Sequence, residues 1–121
     1  MDNDIKELNI PNVCFSLITK GDTRELEFKK QRIERGFDES ETWSLTDTIS
    51  KFIIPRLKEY QIIANDILDR DDNLVSNINK FLRAMELTCK DQGSRIYTKE
   101  EESELVEGLE LFPKIFMTLW W

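Results

Sequence analysis

The sequence contains no histidine, two cysteines, three prolines and four glycines in 121 residues. Each scarcity excludes a class of chemistry. Without histidine there is no Ser-His or Cys-His nucleophile pair, and most zinc and iron sites are ruled out. Cys14 and Cys89 stand at no metal-ligand spacing and read as two reduced, partly buried thiols. The scattered glycines make neither a phosphate-cradling loop nor a nucleophile elbow. Positive charge is also short: 17 Lys and Arg face 24 Asp and Glu, for a net charge of −7. That balance repels a phosphate backbone, so general DNA or RNA binding is not expected. No apolar run approaches the ~20 residues that cross a bilayer, and no signal peptide opens the chain. A cytoplasmic protein with no membrane association is expected.

What is present suits one folded domain. Hydrophobic residues make up 40% and charged residues 34%, and a chain of this length buries roughly two-thirds of its unfolded surface. It needs no disulfide or metal to hold a core. Residues 1–21 read as an N-terminal arm. Within it Val13 to Thr19 is β-branched and aromatic, consistent with either one short strand or an extended arm packed on helices. Residues 22–121 read as a helical domain.

Four helices are expected there. The first spans about Thr23 to Arg35, with Asp22 and Glu25 as a capping box and Gly36 as its stop. Leu26 and Ile33 give it only a thin apolar stripe. The second follows two overlapping start signals, Asp38 with Glu41, then Ser44 or Thr46. It reaches about Leu68, with Leu45, Ile49, Phe52/Ile53, Leu57, Tyr60, Ala64 and Ile67 as one core face. Pro55 predicts a kink near Ile53 to Pro55. A polar turn, Asp69 to Asn73, precedes a third helix over about Leu74 to Lys90, with Leu74, Ile78, Phe81/Leu82, Met85 and Cys89 inward. Thr98 and Glu101 form a capping box for the last helix, whose apolar steps are Leu105, Leu109, Phe112, Phe116 and Leu119. Pro113 is a possible bend. The expected fold is therefore all-α: a compact bundle of about four helices with an irregular N-terminal arm or single short strand.

No group of residues offers catalysis. Glu100, Glu101, Glu102, Glu104 and Glu107 cluster at a helix start, where the helix dipole favours them. Bundle metal sites pair carboxylates with an inward Glu-x-x-His, and histidine is absent. No catalytic residue, metal or cofactor is expected. Binding is better served. Arg56 stands beside Pro55, where a guanidinium fork can take a phosphate or carboxylate, and Lys51 lies one and a half turns earlier. The plain alternative is that these charges are solvated or paired. Trp43 sits among cap residues, and Trp120-Trp121 stands at the end of the sequence. Indoles there either pack in the core or a subunit contact, or stack on the base of a nucleotide.

The run Gly36-Phe37-Asp38-Glu39-Ser40-Glu41-Thr42-Trp43-Ser44-Leu45, followed by Ile54-Pro55-Arg56-Leu57-Lys58, resembles a widespread group of small phage-encoded helical proteins. The group has a Gly-Phe-x5-Trp-x-Leu-Asp segment and an Ile/Leu-Pro-Arg-Leu-Lys helix. Its C-terminal signature is similar to Glu107 through Trp121. The likeness covers about residues 35–60 and 104–121. The chain departs from it at Thr46, where Asp is common, and at Ile115, where Tyr is common. The group is similar to viral anti-CBASS sponges, which sequester nucleotide second messengers of bacterial immunity. The resemblance implies a phage anti-defence protein in the host cytoplasm during infection. It would bind a cyclic oligonucleotide, or another small anion, without catalysis. Trp43, Lys51, Arg56, Trp120 and Trp121 are the expected ligand-binding residues, and a homo-oligomer is expected because a small chain forms such a pocket most easily between subunits. A second reading is a small phage protein that inhibits or scaffolds a host or phage protein through its acidic surface and aromatic tail.

Overall fold

A computed structural model of the protein describes residues 15–89 and 96–121. Every regular element among them is helical. In chain order they are α1 (Glu25–Arg35), a 3-10 turn (Glu39–Thr42), α2 (Leu45–Ile67), α3 (Asp72–Thr88), α4 (Lys99–Ile115) and a second 3-10 turn (Phe116–Thr118). The all-α expectation holds, with four helices. Residues 15–19 form no strand; Val13 and Cys14 lie outside the described residues. The chain divides into two compact units, parting between Thr48 and Ile49.

The first unit is organised around a buried acid. Asp38 is fully buried, as are its neighbours Ser40 and Glu41. Asp38 Oδ1 accepts from the Ser40 backbone N–H at 2.8 Å and from Ser40 Oγ at 2.5 Å. Its Oδ2 takes Arg32 Nη1 at 2.5 Å. Glu41 returns the favour of a capping box, accepting from the Asp38 N–H at 2.7 Å, and its other oxygen accepts from the Phe15 N–H at 2.7 Å. Ser40 Oγ also accepts from the Leu17 N–H at 2.8 Å. Residues 15–17, which belong to no regular element, are thus tied to the turn through side chains that accept from their backbone N–H groups. The first start signal therefore caps the 3-10 turn, and α2 begins separately at Leu45.

The start of α1 differs from expectation. Asp22 does not form a capping box with Glu25. Its carboxylate accepts from Arg24 at the backbone N–H (2.9 Å), Nε (3.1 Å) and Nη2 (3.1 Å), while Glu25 pairs with Arg32 at 3.1 Å. An arginine two residues away presents a bidentate fork that outcompetes a single backbone donor. α1 then starts at Glu25 and ends as expected at Gly36, whose φ of +85° admits glycine and whose N–H donates to the Arg32 carbonyl at 2.8 Å. Phe28, absent from the expected stripe, is its buried residue.

The second unit holds the apolar core: Leu57, Ile78, Phe81, Leu82, Ala84, Met85 and Ile115. α3 supplies most of it: Ile78, Phe81, Leu82 and Met85 are buried as expected and Leu74 is partly buried, whereas Cys89 is half-buried just past the helix end, and Ala84, Leu87 and Thr88 are buried in addition. Asp71 caps it through the Leu74 N–H at 2.7 Å. Thr98 and Glu101 form the expected capping box of α4, at 3.1 and 3.0 Å. α3 and α4 meet closely at Gly108, where a Cβ would lie 2.4 Å from the Lys80 carbonyl oxygen and 2.5 Å from the Ala84 Cβ. Two exposed ion pairs, Lys80 with Glu107 and Arg83 with Glu104, both at 2.8 Å, flank that crossing. Phe112 stands edge-on to Phe81 at 4.9 Å and stacks on Phe116 at 5.1 Å.

α2 corrects the single core face read from its sequence. Leu57, Ala64 and Ser50 are its buried residues. Leu45, Ile49, Phe52 and Ile67 are all exposed. The apolar residues form two stripes rather than one. Ser50 donates to Thr88 Oγ1 at 2.5 Å, and Thr88 donates in turn to the Met85 carbonyl at 2.7 Å, which satisfies the buried hydroxyls. α2 runs unbroken through Pro55, which is exposed. Of the last helix's expected apolar face, Leu109 and Phe116 are likewise exposed, and Gly108 and Ile115 are the buried residues of α4.

Candidate functional site

The aromatic and basic residues expected to bind ligand fall in both units. Trp43 belongs to the first. It is 49% exposed, its ring 6.2 Å from Phe28 in a tilted contact. The Arg24 guanidinium lies 5.1 Å from the Trp43 ring centroid and 5.5 Å from that of Phe28. Both faces of this cation–π arrangement are locally built: Asp22 holds the guanidinium edge while the rings meet its plane. Hydrogen bonds from Arg24 keep the Asp22 carboxyl below its ordinary pKa. Trp43 is therefore half-committed to its own unit.

The other four residues belong to the second unit. Lys51 is half-buried. Arg56 is exposed, but its Nη1 donates to the Phe52 carbonyl at 2.9 Å and its guanidinium lies 4.1 Å from the Phe52 ring centroid. It lies along α2 and stacks on an apolar neighbour. Trp120 and Trp121 are 64% and 61% exposed.

The most unusual group in the second unit was not singled out by sequence reading. Arg70 leaves the turn before α3 and reaches the segment that carries the tryptophans. Its Nη2 donates to Tyr60 Oη and, at 3.0 Å each, to the carbonyl oxygens of Thr118 and Trp120. Tyr60 Oη lies 2.8 Å from the Thr118 carbonyl oxygen, to which it donates, and 3.2 Å from that of Trp120. The guanidinium carbon is 5.1 Å from the Tyr60 ring centroid. Arg70 Nε and Nη1 are buried with no acceptor among the described residues. Unpaired buried donors of a charged group cost several kcal/mol, in round terms about 1–3 for each group left unmade. The two nitrogens face different edges of the guanidinium, because its side-on fork pairs Nε with Nη2, so each would take an acceptor of its own. Arg70 was hidden in sequence because it stands in Asp69-Arg70-Asp71-Asp72, where an arginine among acids looks solvated. Only its distance from Tyr60 and Thr118 in the chain, closed by folding, reveals the clamp.

Among the described residues no cluster of His, Cys, Asp or Glu is arranged to hold a metal ion, and no helix is long and apolar enough to cross a membrane. The acidic residues at the start of α4 are mostly exposed, with Glu104 and Glu107 engaged in the ion pairs across to α3. Cys89 is a free thiol at the end of α3; Cys14 lies outside the described residues. No protein-family model, curated protein or solved structure matches the chain.

Proposed function

We propose that the protein works by binding a small anionic ligand in the second unit, with Arg70 as the cation that meets it. The observation that carries this reading is the buried guanidinium whose Nε and Nη1 lack acceptors. An oxygen of an anionic ligand would satisfy one of these nitrogens, while Nη2 stays on the Thr118 and Trp120 carbonyls. Trp120 and Trp121, exposed on the segment that Arg70 holds, supply aromatic faces for a base. The combination suits a nucleotide: charge on the phosphate and stacking on the ring. The resemblance to phage-encoded proteins narrows the ligand to a cyclic oligonucleotide. On this reading the protein is an anti-defence sponge that removes a second messenger in the host cytoplasm without converting it. Arg56, already laid on Phe52, is no longer the favoured phosphate ligand.

A second reading, a phage protein that inhibits or scaffolds another protein, draws on a different observation. Large apolar side chains are exposed on α2, α4 and the residues that follow it, Phe116, Met117, Trp120 and Trp121 among them. Exposed large apolar side chains that adjoin one another mark protein contacts.

Native mass spectrometry with inorganic phosphate and a panel of cyclic di- and trinucleotides separates the two. The sponge reading expects a stoichiometric mass increase, with the nucleotide released unchanged on denaturation. Arg70→Met should abolish the increase, and Arg70→Lys, which keeps the charge and loses the planar set of donors, should weaken it at least about tenfold. Failure of every nucleotide to bind the native protein would leave the protein-binding reading in possession.

A further inference from the structure

α2 carries a second apolar stripe that its own unit does not cover. Ile49 is 57% exposed, Phe52 47% and Ile67 58%; Ile63 is half-buried and Ile62 exposed. The buried residues Ser50, Leu57 and Ala64 lie on another side of the helix. Along the outward side the steps alternate three and four: Ile49, Phe52, Arg56, Glu59, Ile63, Asp66. That is the a/d spacing of a seam by which one helix packs lengthwise on another. Each buried residue sits one position after an a-site, so the seam and the core face are fixed by the same helix and do not compete. Ile62 and Ile67 flank the seam at g and e.

The charges in the seam select its occupant. Its centre holds one residue of each sign, Arg56 and Glu59, both exposed. Phe52 stands four residues before Arg56, and Ile63 four after Glu59. Ile49 stands seven before Arg56, and Asp66, with Ile67 next to it, seven after Glu59. The four central positions of the seam are therefore complementary to their own reverse, while the outer layer sets Ile49 opposite Asp66, with Ile67 beside it. One antiparallel register sets Arg56 opposite Glu59 and Phe52 opposite Ile63, each pair occurring twice about a two-fold axis. A parallel copy would set Arg56 on Arg56 and Glu59 on Glu59. Arg56 already lies along the seam, with Nη1 on the Phe52 carbonyl and its plane 4.1 Å from the Phe52 ring centroid, so little side-chain freedom is left to lose on docking.

We propose that the protein forms a homodimer in which α2 pairs antiparallel with α2 of a second copy, each Arg56 bridging Glu59 of the partner subunit between two Phe52–Ile63 contacts. This inference stands apart from the ligand reading, because Arg70 lies outside the seam.

The test is sedimentation velocity over a concentration series, on the full chain and on charge variants. The native protein should be a dimer. Arg56→Glu places four acidic side chains at the centre and should raise the dissociation constant at least about tenfold. Arg56→Glu combined with Glu59→Arg exchanges the two signs and should restore it towards the native value. Far-UV circular dichroism checks that each variant keeps its helix content, which substitutions at two exposed sites should leave unchanged. A strict monomer, as expected if another part of this chain or a different protein covers the seam, would overturn the proposal. So would a dimer that Arg56→Glu leaves intact, or a lost dimer that the double exchange fails to rescue.

Discussion

A single carboxylate shows how a residue's chemistry becomes local structure. Burial pushes the Asp38 carboxyl up, but hydrogen bonds from Ser16, Ser40, Arg32 and the Ser40 backbone outweigh it and hold the pKa below its ordinary value. Burial also disfavours the Arg32 cation, and the bonds to Asp38 and Glu25 more than offset this and raise its pKa. The sign of the pH dependence follows. A carboxyl whose folded pKa lies below its unfolded value, about 3.9, binds fewer protons when folded. Its stabilisation is complete above the unfolded value and is lost as pH falls through the folded one. Asp38→Asn keeps the shape and removes the charge, leaving Glu25 and the Ser16 hydroxyl as the remaining partners of Arg32. It should cost about 2–4 kcal/mol near neutral pH. Hydrogen exchange of the amides of residues 38–41 reports this locally. Native protection should decline as pH drops below about 4, after correction for intrinsic exchange, and that of the variant should change less. Equal declines in the two proteins would show that Asp38 does not carry the acid sensitivity.

Helices were the part of the fold most legible in sequence, and their facing was the least. α3 and α4 could be placed from their apolar periods and from the signals before them, the polar turn Asp69 to Asn73 for α3 and the capping box Thr98 with Glu101 for α4. α2 misled because it has two stripes about a quarter-turn apart, and a list of apolar residues at steps of three and four merges them. Exposed Ile49 and buried Leu57 both satisfy the period; only the position of Ser50, polar yet buried against Thr88, distinguishes the core side. The candidate site was legible to the extent that Trp120 and Trp121 were marked. Arg70 was not, because its partners lie far along the chain. Gly108 was also silent in sequence, since a mid-helix glycine reads as a weakness. Its function is the close crossing of α3 and α4. Gly108→Ala gains up to about 1 kcal/mol in helix propensity. It also drives a methyl into the Lys80 carbonyl, part of the α3 backbone, and into the Ala84 side chain, which is fully buried in the core. Overpacking of this kind costs about 1–3 kcal/mol, and the immobile carbonyl places it at the upper end. Thermal unfolding of Gly108→Ala should therefore begin several degrees below the native protein. A higher melting temperature would mean the two helices separate freely and the crossing is not tight.

Charge at the scale of the whole molecule sets how a ligand arrives, as distinct from how it is held. The chain carries −7, and the proposed ligand is an anion. At long range the two repel, with a reach of about 10 Å at 0.1 M salt. At contact the ligand meets Arg70, whose two unpaired nitrogens are buried and little screened. The two effects respond to salt in opposite directions, and the association rate isolates the first. Stopped-flow tryptophan fluorescence, with Trp120 and Trp121 as reporters, should show association becoming faster as ionic strength rises from about 0.01 to 0.1 M, as repulsion is screened. A basic protein that tracks a phosphate backbone does the reverse, and its affinity falls steeply with salt. The dissociation rate should change less, because the buried guanidinium is shielded from added ions. A rate constant for association that falls across that range would sink this account. It would mean that a local positive field, built from Arg70 and cations outside the clamp, overrides the acidic surface and draws the ligand in.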